Sequence, residues 1–255
     1  MKVRYSYLKQ QFSNAPDLWA KLKKFVSTGE FTLGKELLKF EKNFAKLMGS
    51  KYSIGVNSGT DAIKLSLKAL NVGPGDEVIT AANTFVATVG AITEIGAKPI
   101  FVDCDDTFCM NVDFVEKKIT SKTKAIVPVH FTGYMTNMPK LLKITKKYNI
   151  PIVEDACQSI LANINKKNSG TWGDFGAFSL HPLKNINVWS DGGIITTNNL
   201  KYYNKLNLLR NHGLVDRDTV KICGYNSRLD TFQAVVGNWL LPKAKNIANK
   251  RIKNA

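Results

Sequence analysis

Lys184 is set apart from most of the other lysines in this chain. It follows the apolar, strand-like run 176–180 after a break at Pro182, and a glycine pair, Gly192-Gly193, lies just beyond it. Burial at the end of a strand favours the neutral amine of a lysine, which can then attack a carbonyl. Most lysines are simply solvated. The functional reading of Lys184 therefore depends on what else the sequence would place beside it.

Five further clusters could supply that company. Asn57-Ser58-Gly59-Thr60-Asp61-Ala62 reads as a strand–turn–helix junction. Its free N–H groups and positive dipole end suit a phosphate, although Ser58 or Thr60 would equally serve as an ordinary helix cap. Val153-Glu154-Asp155-Ala156-Cys157-Gln158 puts two acids after a buried strand. They could bind a metal or a base, cap a helix, or hold a protonated heteroaromatic ring through Asp155. Phe85 follows a strand and could stack on a flat ligand or join the core. His130-Phe131-Thr132-Gly133 offers an acid/base or hydrogen-bonding group. Gly224–Asp230 is a polar turn leading into a helix, with Arg228 and Asp230 as a structural pair or a contact site. A phosphate cradle, an aromatic stack, a carboxylate for a ring nitrogen and a Schiff-base lysine are together what pyridoxal 5'-phosphate chemistry requires.

The elements that must position these residues alternate. Helices are predicted over 16–27, with Leu18, Leu22, Phe25 and Val26 on one face, and over 35–48, with Leu37, Phe40, Phe44 and Leu47 in a stripe. Strands at 53–56, 77–81, 99–102, 124–129 and 151–154 then alternate with helices at 60–70, 84–95, 112–119 and 138–148. Strands at 177–180 and 193–197 follow, with helices over 202–211, from about 230, and over 243–254. This is the pattern of an α/β fold with a mostly parallel sheet covered by helices on both faces. In such sheets ligands bind beyond the carboxyl ends of the strands, which is where the candidate residues fall.

Composition narrows the class. The 255 residues are 44% hydrophobic and carry a net charge of +16. Only five of the 36 basic residues are arginine, and the lysines are spread along the whole chain, so a solvated surface is favoured over nucleic-acid recognition. No apolar run approaches the roughly 20 residues of a membrane span. Met1-Lys2-Val3-Arg4-Tyr5 lacks a signal-peptide core, and Cys104, Cys109, Cys157 and Cys223 show no paired spacing. These features lead to the expectation of reduced thiols, no metal site and a cytoplasmic protein.

At this point a resemblance can be stated. From about Gly29 to Val236 the chain resembles the DegT/StrS family of pyridoxal-phosphate-dependent sugar aminotransferases, of the aspartate aminotransferase fold (fold type I). It is carried by S-G-T-D-A at 58–62, G-P-G-D-E-V-I at 73–79, T-F at 84–85, G-A-K-P-I-F-V-D at 96–103 and E-D-A-C-Q at 154–158. F-S-L-H-P-L-K-N at 178–185, D-G-G at 191–193, R-N-H-G at 210–213 and G-Y-N-S-R-L-D at 224–230 complete it. The resemblance implies that Lys184 is the Schiff-base lysine, that Asp155 pairs with the pyridine nitrogen and that Gln158 bonds near the phenolic oxygen. It implies that Phe85 stacks on the ring and that Ser58, Gly59, Thr60 and Ser179 hold the phosphate. Asn226 would reach the phosphate of a partner subunit in a homodimer with shared active sites. His130 and the Thr28-Gly29 region would be substrate-side contacts. The implied activity moves an amino group from an amino acid, glutamate, to a nucleotide-linked keto-sugar for amino-sugar and polysaccharide biosynthesis. The alternatives are a sugar dehydratase on the same scaffold, whose members carry histidine in place of the lysine, and a non-catalytic cofactor-binding protein. The implied division is a helical segment at 1–30, a cofactor-binding large domain at 31–240, and at 241–255 the start of a truncated C-terminal region, because family members continue into a small domain.

Overall fold

Short runs rich in Val, Ile and Thr build one mixed sheet at the centre of the chain. The computed structural model describes residues 6–254. The N-terminal pentapeptide, Met1 to Tyr5, and Ala255 lie outside the described residues. Helices α1 (Leu8–Phe12), α2 (Pro16–Val26) and α3 (Lys35–Met48) precede β1 (Tyr52–Val56) and α4 (Gly59–Ala69). Strand β2 (Glu77–Ala81), α5 (Val86–Glu94), β3 (Lys98–Val102), β4 (Thr123–Val127), α6 (Met138–Tyr148) and β5 (Val153–Asp155) continue the alternation. A small hairpin, β6 (Asn163–Ile164) and β7 (Lys167–Asn168), leads to β8 (Phe175–Ser179), β9 (Gly193–Thr197) and α7 (Leu200–Leu209). Helices α8 (Thr231–Leu240) and α9 (Ala244–Asn254) follow, joined by a 3₁₀ turn.

Strands β1-β9-β8-β5 and β3-β2-β4 form two hydrogen-bonded groups. Bridges pairing Ile126 with Ile152 and Val129 with Asp155 join them into one surface of order β3-β2-β4-β5-β8-β9-β1. Every neighbour pair is parallel except the two made by β9, which runs against both β8 and β1.

Alternation along the strands sorts the core into two faces. Phe178 and Ile194 pack with Leu18, Leu22, Leu37, Phe40 and Phe44 of α2 and α3 and with α8. Phe175, Ala177 and Ile195 pack instead with Ala62, Ile63, Ala91, Ile92 and Leu206 of α4, α5 and α7. The N-terminal helix α2 therefore shares one core with α3 and α8. Among the described residues, no helix is long and apolar enough to cross a membrane.

Two local expectations are corrected. Val26 is exposed, leaving α2 a narrower stripe of Leu18, Leu22 and Phe25. Residues 112–119 form two 3₁₀ turns, Val112–Phe114 and Glu116–Lys118, rather than one helix. Val112 and Val115 are their buried core anchors, and an i, i+3 pair fits a three-residue turn. The β6–β7 hairpin turns through Asn165 and Lys166, with φ of 53° and 64°.

One buried ion pair ties the site-bearing edge of the sheet to its helices. Arg210 donates to the Glu41 carboxylate and, at 3.0 Å, to the Gly55 carbonyl, while the same Glu41 oxygen accepts the Gly55 N–H at 2.8 Å. Both side chains are buried, so removing one strands the other's charge. Arg210→Met is expected to lower the unfolding free energy by about 3–5 kcal/mol in urea titration. A loss below about 1 kcal/mol would show the pair to be effectively solvated.

Candidate active site

The register of the sheet brings three chain segments to one point. Val56 of β1 and Ser179 of β8 both pair with Gly193 of β9, so these strand ends lie in one row. From that row α4 begins. Ser58 is its N-cap, with Oγ accepting the Asp61 N–H at 3.0 Å and its carbonyl accepting the Ala62 N–H at 2.9 Å. Of the first-turn donors, helix geometry leaves those of Gly59 and Thr60 for an acceptor outside the helix. The helix start is pressed so closely onto the strand ends that a Cβ at Gly59 would lie 2.8 Å from Ser179 Cβ and 2.9 Å from Cys157 Sγ. A Cβ at Gly193 would lie 2.1 Å from the Ser58 carbonyl oxygen. Ser179 Oγ accepts the His181 N–H at 3.3 Å, which leaves its own proton available. Two helix N–H groups and a hydroxyl thus lie at one junction of strand ends and a positive helix end, donors of the kind that suit an anion.

Asp155 is the last residue of β5 and is buried. Its backbone is paired with β8 on one side and on the other with the segment following β4, through Asp155 N–H to Pro128 O at 2.9 Å and His130 N–H to Asp155 O at 3.0 Å. Its carboxylate accepts the Thr88 hydroxyl on Oδ2 at 2.7 Å and the Cys157 N–H on Oδ1 at 3.2 Å. Both donors are neutral, and a carboxylate has further lone pairs for a ligand.

Lys184 is half-buried in the loop after β8, where its N–H donates to His181 O and its carbonyl accepts from Asn187. Its charge reaches the cluster around Asp155. Burial pushes the Cys157 thiol well above its ordinary range, the neighbouring Asp155 carboxylate pushes it further, and the Lys184 ammonium pulls weakly the other way. Asp155, Cys157, Ser179 and Gly59 therefore lie together, with Lys184 five residues beyond Ser179 in the loop after β8.

The other expected residues divide. Gln158 is partly buried, and its Oε1 accepts the Thr132 N–H at 3.1 Å, which leaves its amide N–H groups as the free end. Phe85 caps α5 one turn before Thr88 and is 65% exposed, so it is no core residue. Asn226 is exposed and pairs through its backbone with Asn211. It lines a polar cavity of about 320 Å³ with Thr32, Asn57, Arg228, Leu229 and Asp230. Arg228 donates to Asn211 at 3.0 Å rather than to Asp230.

His130 is corrected. It is fully buried; Nδ1 accepts the Thr136 N–H at 3.3 Å, so Nε2 carries the proton and donates to Glu154 Oε2 at 2.9 Å. With both nitrogens engaged it cannot meet a substrate. Thr28 Oγ1 is bonded to Phe25 O at 2.7 Å, so the Thr28-Gly29 pair serves the end of α2. Glu154 is not a ligand residue either, since its oxygens accept N–H groups from Gly170, Trp172 and Gly173. Among the described residues, no group of acids, histidines and cysteines could hold a metal.

Two residues were missed, Thr84 and Thr88. A threonine one turn into a β-branched helix looks like packing in the sequence, and only the fold shows that its hydroxyl meets Asp155. A third link, Ser227 Oγ to Asp61 Oδ2 at 2.7 Å, ties α4 to the turn bearing Asn226.

Known proteins are similar to this chain in sequence and fold. The chain is 42% identical over 214 residues to a UDP-N-acetyl-3-dehydro-alpha-D-glucosamine 3-aminotransferase of Acidithiobacillus ferrooxidans, covering 84% of this chain and 58% of that protein. The structure of S. venezuelae DesV in complex with a ketimine intermediate superposes with a TM-score of 0.94 at 34% identity, covering 96% of this chain and 67% of that one. NtdA from Bacillus subtilis, with bound cofactor PMP, gives a TM-score of 0.88 at 36% identity, covering 96% of this chain and 56% of that one. This chain thus spans roughly three-fifths of the curated relative and between 56% and 67% of the two solved chains. The model of the DegT/DnrJ/EryC1/StrS aminotransferase family matches residues 14–255, and the chain belongs to that family.

Proposed function

We propose that this chain is the cofactor-binding part of a pyridoxal-5'-phosphate-dependent aminotransferase. It would transfer an amino group from glutamate to a nucleotide-linked keto-sugar in amino-sugar and polysaccharide biosynthesis. The observation that carries this reading is the meeting of Asp155, Cys157 and Ser179 with the free first turn of α4 at the end of β8, the strand from which the chain runs on to Lys184. The names of the relatives support the substrate class, since one acts on a UDP-linked dehydro-glucosamine.

The residues present fit the cofactor. The N–H groups of Gly59 and Thr60, with the Ser58 cap and the Ser179 hydroxyl, would hold its phosphate. A side chain at position 59 would fill that cradle, as the 2.8 Å approach to Ser179 indicates. Asp155, supported by neutral donors only, has its charge free for a protonated ring nitrogen. The free amide end of Gln158 would meet the ring's phenolic oxygen, and the exposed ring of Phe85 would cover its face. Lys184 would hold the cofactor covalently. The bound cofactor supplies an electron sink that weakens the bonds at the amino donor's α-carbon. As a free amine, Lys184 Nζ takes up and returns the proton of that carbon.

Residues 31–240 are assigned to the cofactor-binding domain, with 1–30 and 241–255 as flanking segments. Asn226, exposed beside a polar cavity, is assigned to a partner subunit's phosphate, which makes the working form a homodimer. The lysine-rich surface, with no cluster of arginines, suits small anionic substrates better than nucleic acid, and the compartment assigned is the cytoplasm, away from membranes.

Incubation with pyridoxal phosphate is expected to give a visible absorbance band. Borohydride should then fix the cofactor on the peptide containing Lys184, and Lys184→Ala should abolish fixation. An adduct on another lysine would sink the assignment. Glutamate should bleach the band, and persistence would exclude it as the donor. A second measurement follows from the thiols. Because its pKa is raised, Cys157 should remain protonated at pH 8, so iodoacetamide should label the exposed Cys223 first. Cofactor loading should slow Cys157 labelling further. Rapid labelling of Cys157 at pH 7, tracked by peptide mass spectrometry, would contradict this account of its surroundings.

A further inference from the structure

The hydroxyls of Thr84 and Thr88 form a chain that ends on Asp155. Thr88 is buried one turn inside α5, and its Oγ1 lies 2.7 Å from Asp155 Oδ2 and 2.7 Å from Thr84 Oγ1. A carboxylate only accepts, so the single Thr88 proton goes to Asp155. Thr84 must then be the donor to Thr88. The chain has one direction, from Thr84 through Thr88 to the carboxylate.

We propose that Thr88 is a positioning residue that aims the Asp155 carboxylate at the cofactor's ring nitrogen, with Thr84 reinforcing it. This rests on the cofactor assignment above. The terminal torsion of an aspartate is soft, and backbone pairing to β8 and to Pro128 and His130 fixes only its Cα. The plane of the carboxylate is set by what grips its two oxygens. One grip is the Cys157 N–H at 3.2 Å, and the other is the shorter Thr88 bond at 2.7 Å. Bonds in a buried chain polarise one another, so the Thr84 donation strengthens the Thr88 grip. Thr84 also immediately precedes Phe85, the cap residue of α5. The residue proposed for the ring's edge and the one proposed for its face are thereby referred to the same helix start.

A packing role for Thr88 gives the opposite pattern of mutant effects. Thr88→Val keeps the shape and loses the hydroxyl, while Thr88→Ser keeps the hydroxyl and loses the methyl. Pyridoxal phosphate binding to the full chain, followed by absorbance titration, should weaken by about tenfold or more in Thr88→Val, the size of one bond to a charged group. It should stay within about threefold of the parent in Thr88→Ser. The pH midpoint of the bound cofactor's visible band should rise in Thr88→Val, because a less firmly held ring proton withdraws less charge from the lysine linkage. Thr84→Val, at a partly exposed position where folding is less at risk, should weaken binding by about threefold. Asp155→Asn separates the two levels of the reading. If Asp155→Asn weakens binding while both valine variants match the parent in affinity and midpoint, Thr88 does not position Asp155. If Asp155→Asn itself binds like the parent, the cofactor role of Asp155 falls, and this inference with it. Equal or greater loss in Thr88→Ser than in Thr88→Val would assign the residue to packing.

Discussion

The contact on which the rest of the site depends is the backbone-to-backbone approach of α4 to the ends of β8 and β9. A helix start normally stands off a sheet by the width of its side chains. Here Gly59 and Gly193 remove that width on both sides, and the Ser58 carbonyl sits where a Gly193 side chain would be. Because Val56, Gly193 and Ser179 share one register row, the approach is set by strand pairing rather than by loop conformation. Asp155 pairs with Ala177, two residues before Ser179 on the same strand. The carboxylate and the helix N–H groups are therefore spaced by β geometry.

The adjacent acids at 154 and 155 show how a strand divides labour. Successive side chains point to opposite faces, so two carboxylates neighbouring in sequence end in different environments. Asp155 shares its parity with Val153 and faces α4 and α5, while Glu154 turns to the other face and grips Gly170, Trp172, Gly173 and His130. Glu154 holds the segment that enters β8, and hence the strand that delivers Ser179 and Lys184. An acid pair that reads as one motif is one structural clamp and one candidate ligand residue.

Much of this was legible in the sequence because it is local. Strand and helix periods, the Ser58 cap and the strand-end positions of Asp155 and Ser179 all follow from patterns a few residues long. What was not legible is set by contacts across the chain. The antiparallel direction of β9 depends on the irregular 180–192 loop, which carries no periodic signal. His130 looks like a catalytic base until burial and its pairing with Glu154, 24 residues away, remove it. Thr88 and Asp155 are 67 residues apart, and nothing in either segment announces the other. The role proposed for Asn226 rests on resemblance, since an exposed asparagine in a polar turn is indistinguishable from an ordinary capping residue.

The manner in which the chain treats its acids singles out Asp155. It carries 36 basic residues against 20 acidic ones, so a cation is available to almost any carboxylate. Buried Glu41 is paired with Arg210, and Asp61 and Glu94 share Lys64, whereas Glu154 has both oxygens filled by the His130 N–H and three backbone N–H groups. The Asp155 carboxylate, equally enclosed, is gripped by a hydroxyl and an amide instead. A cation in ion-pair contact would cancel the charge that a protonated heterocycle needs, and would compete with it for the same lone pairs. Neutral donors fix the geometry and leave the charge in place. Of the three buried acids among the described residues, Glu41, Glu154 and Asp155, Asp155 alone has neither an ion pair nor the four donors that occupy Glu154, and its remaining lone pairs are the physical ground for reading it as a ligand-facing group.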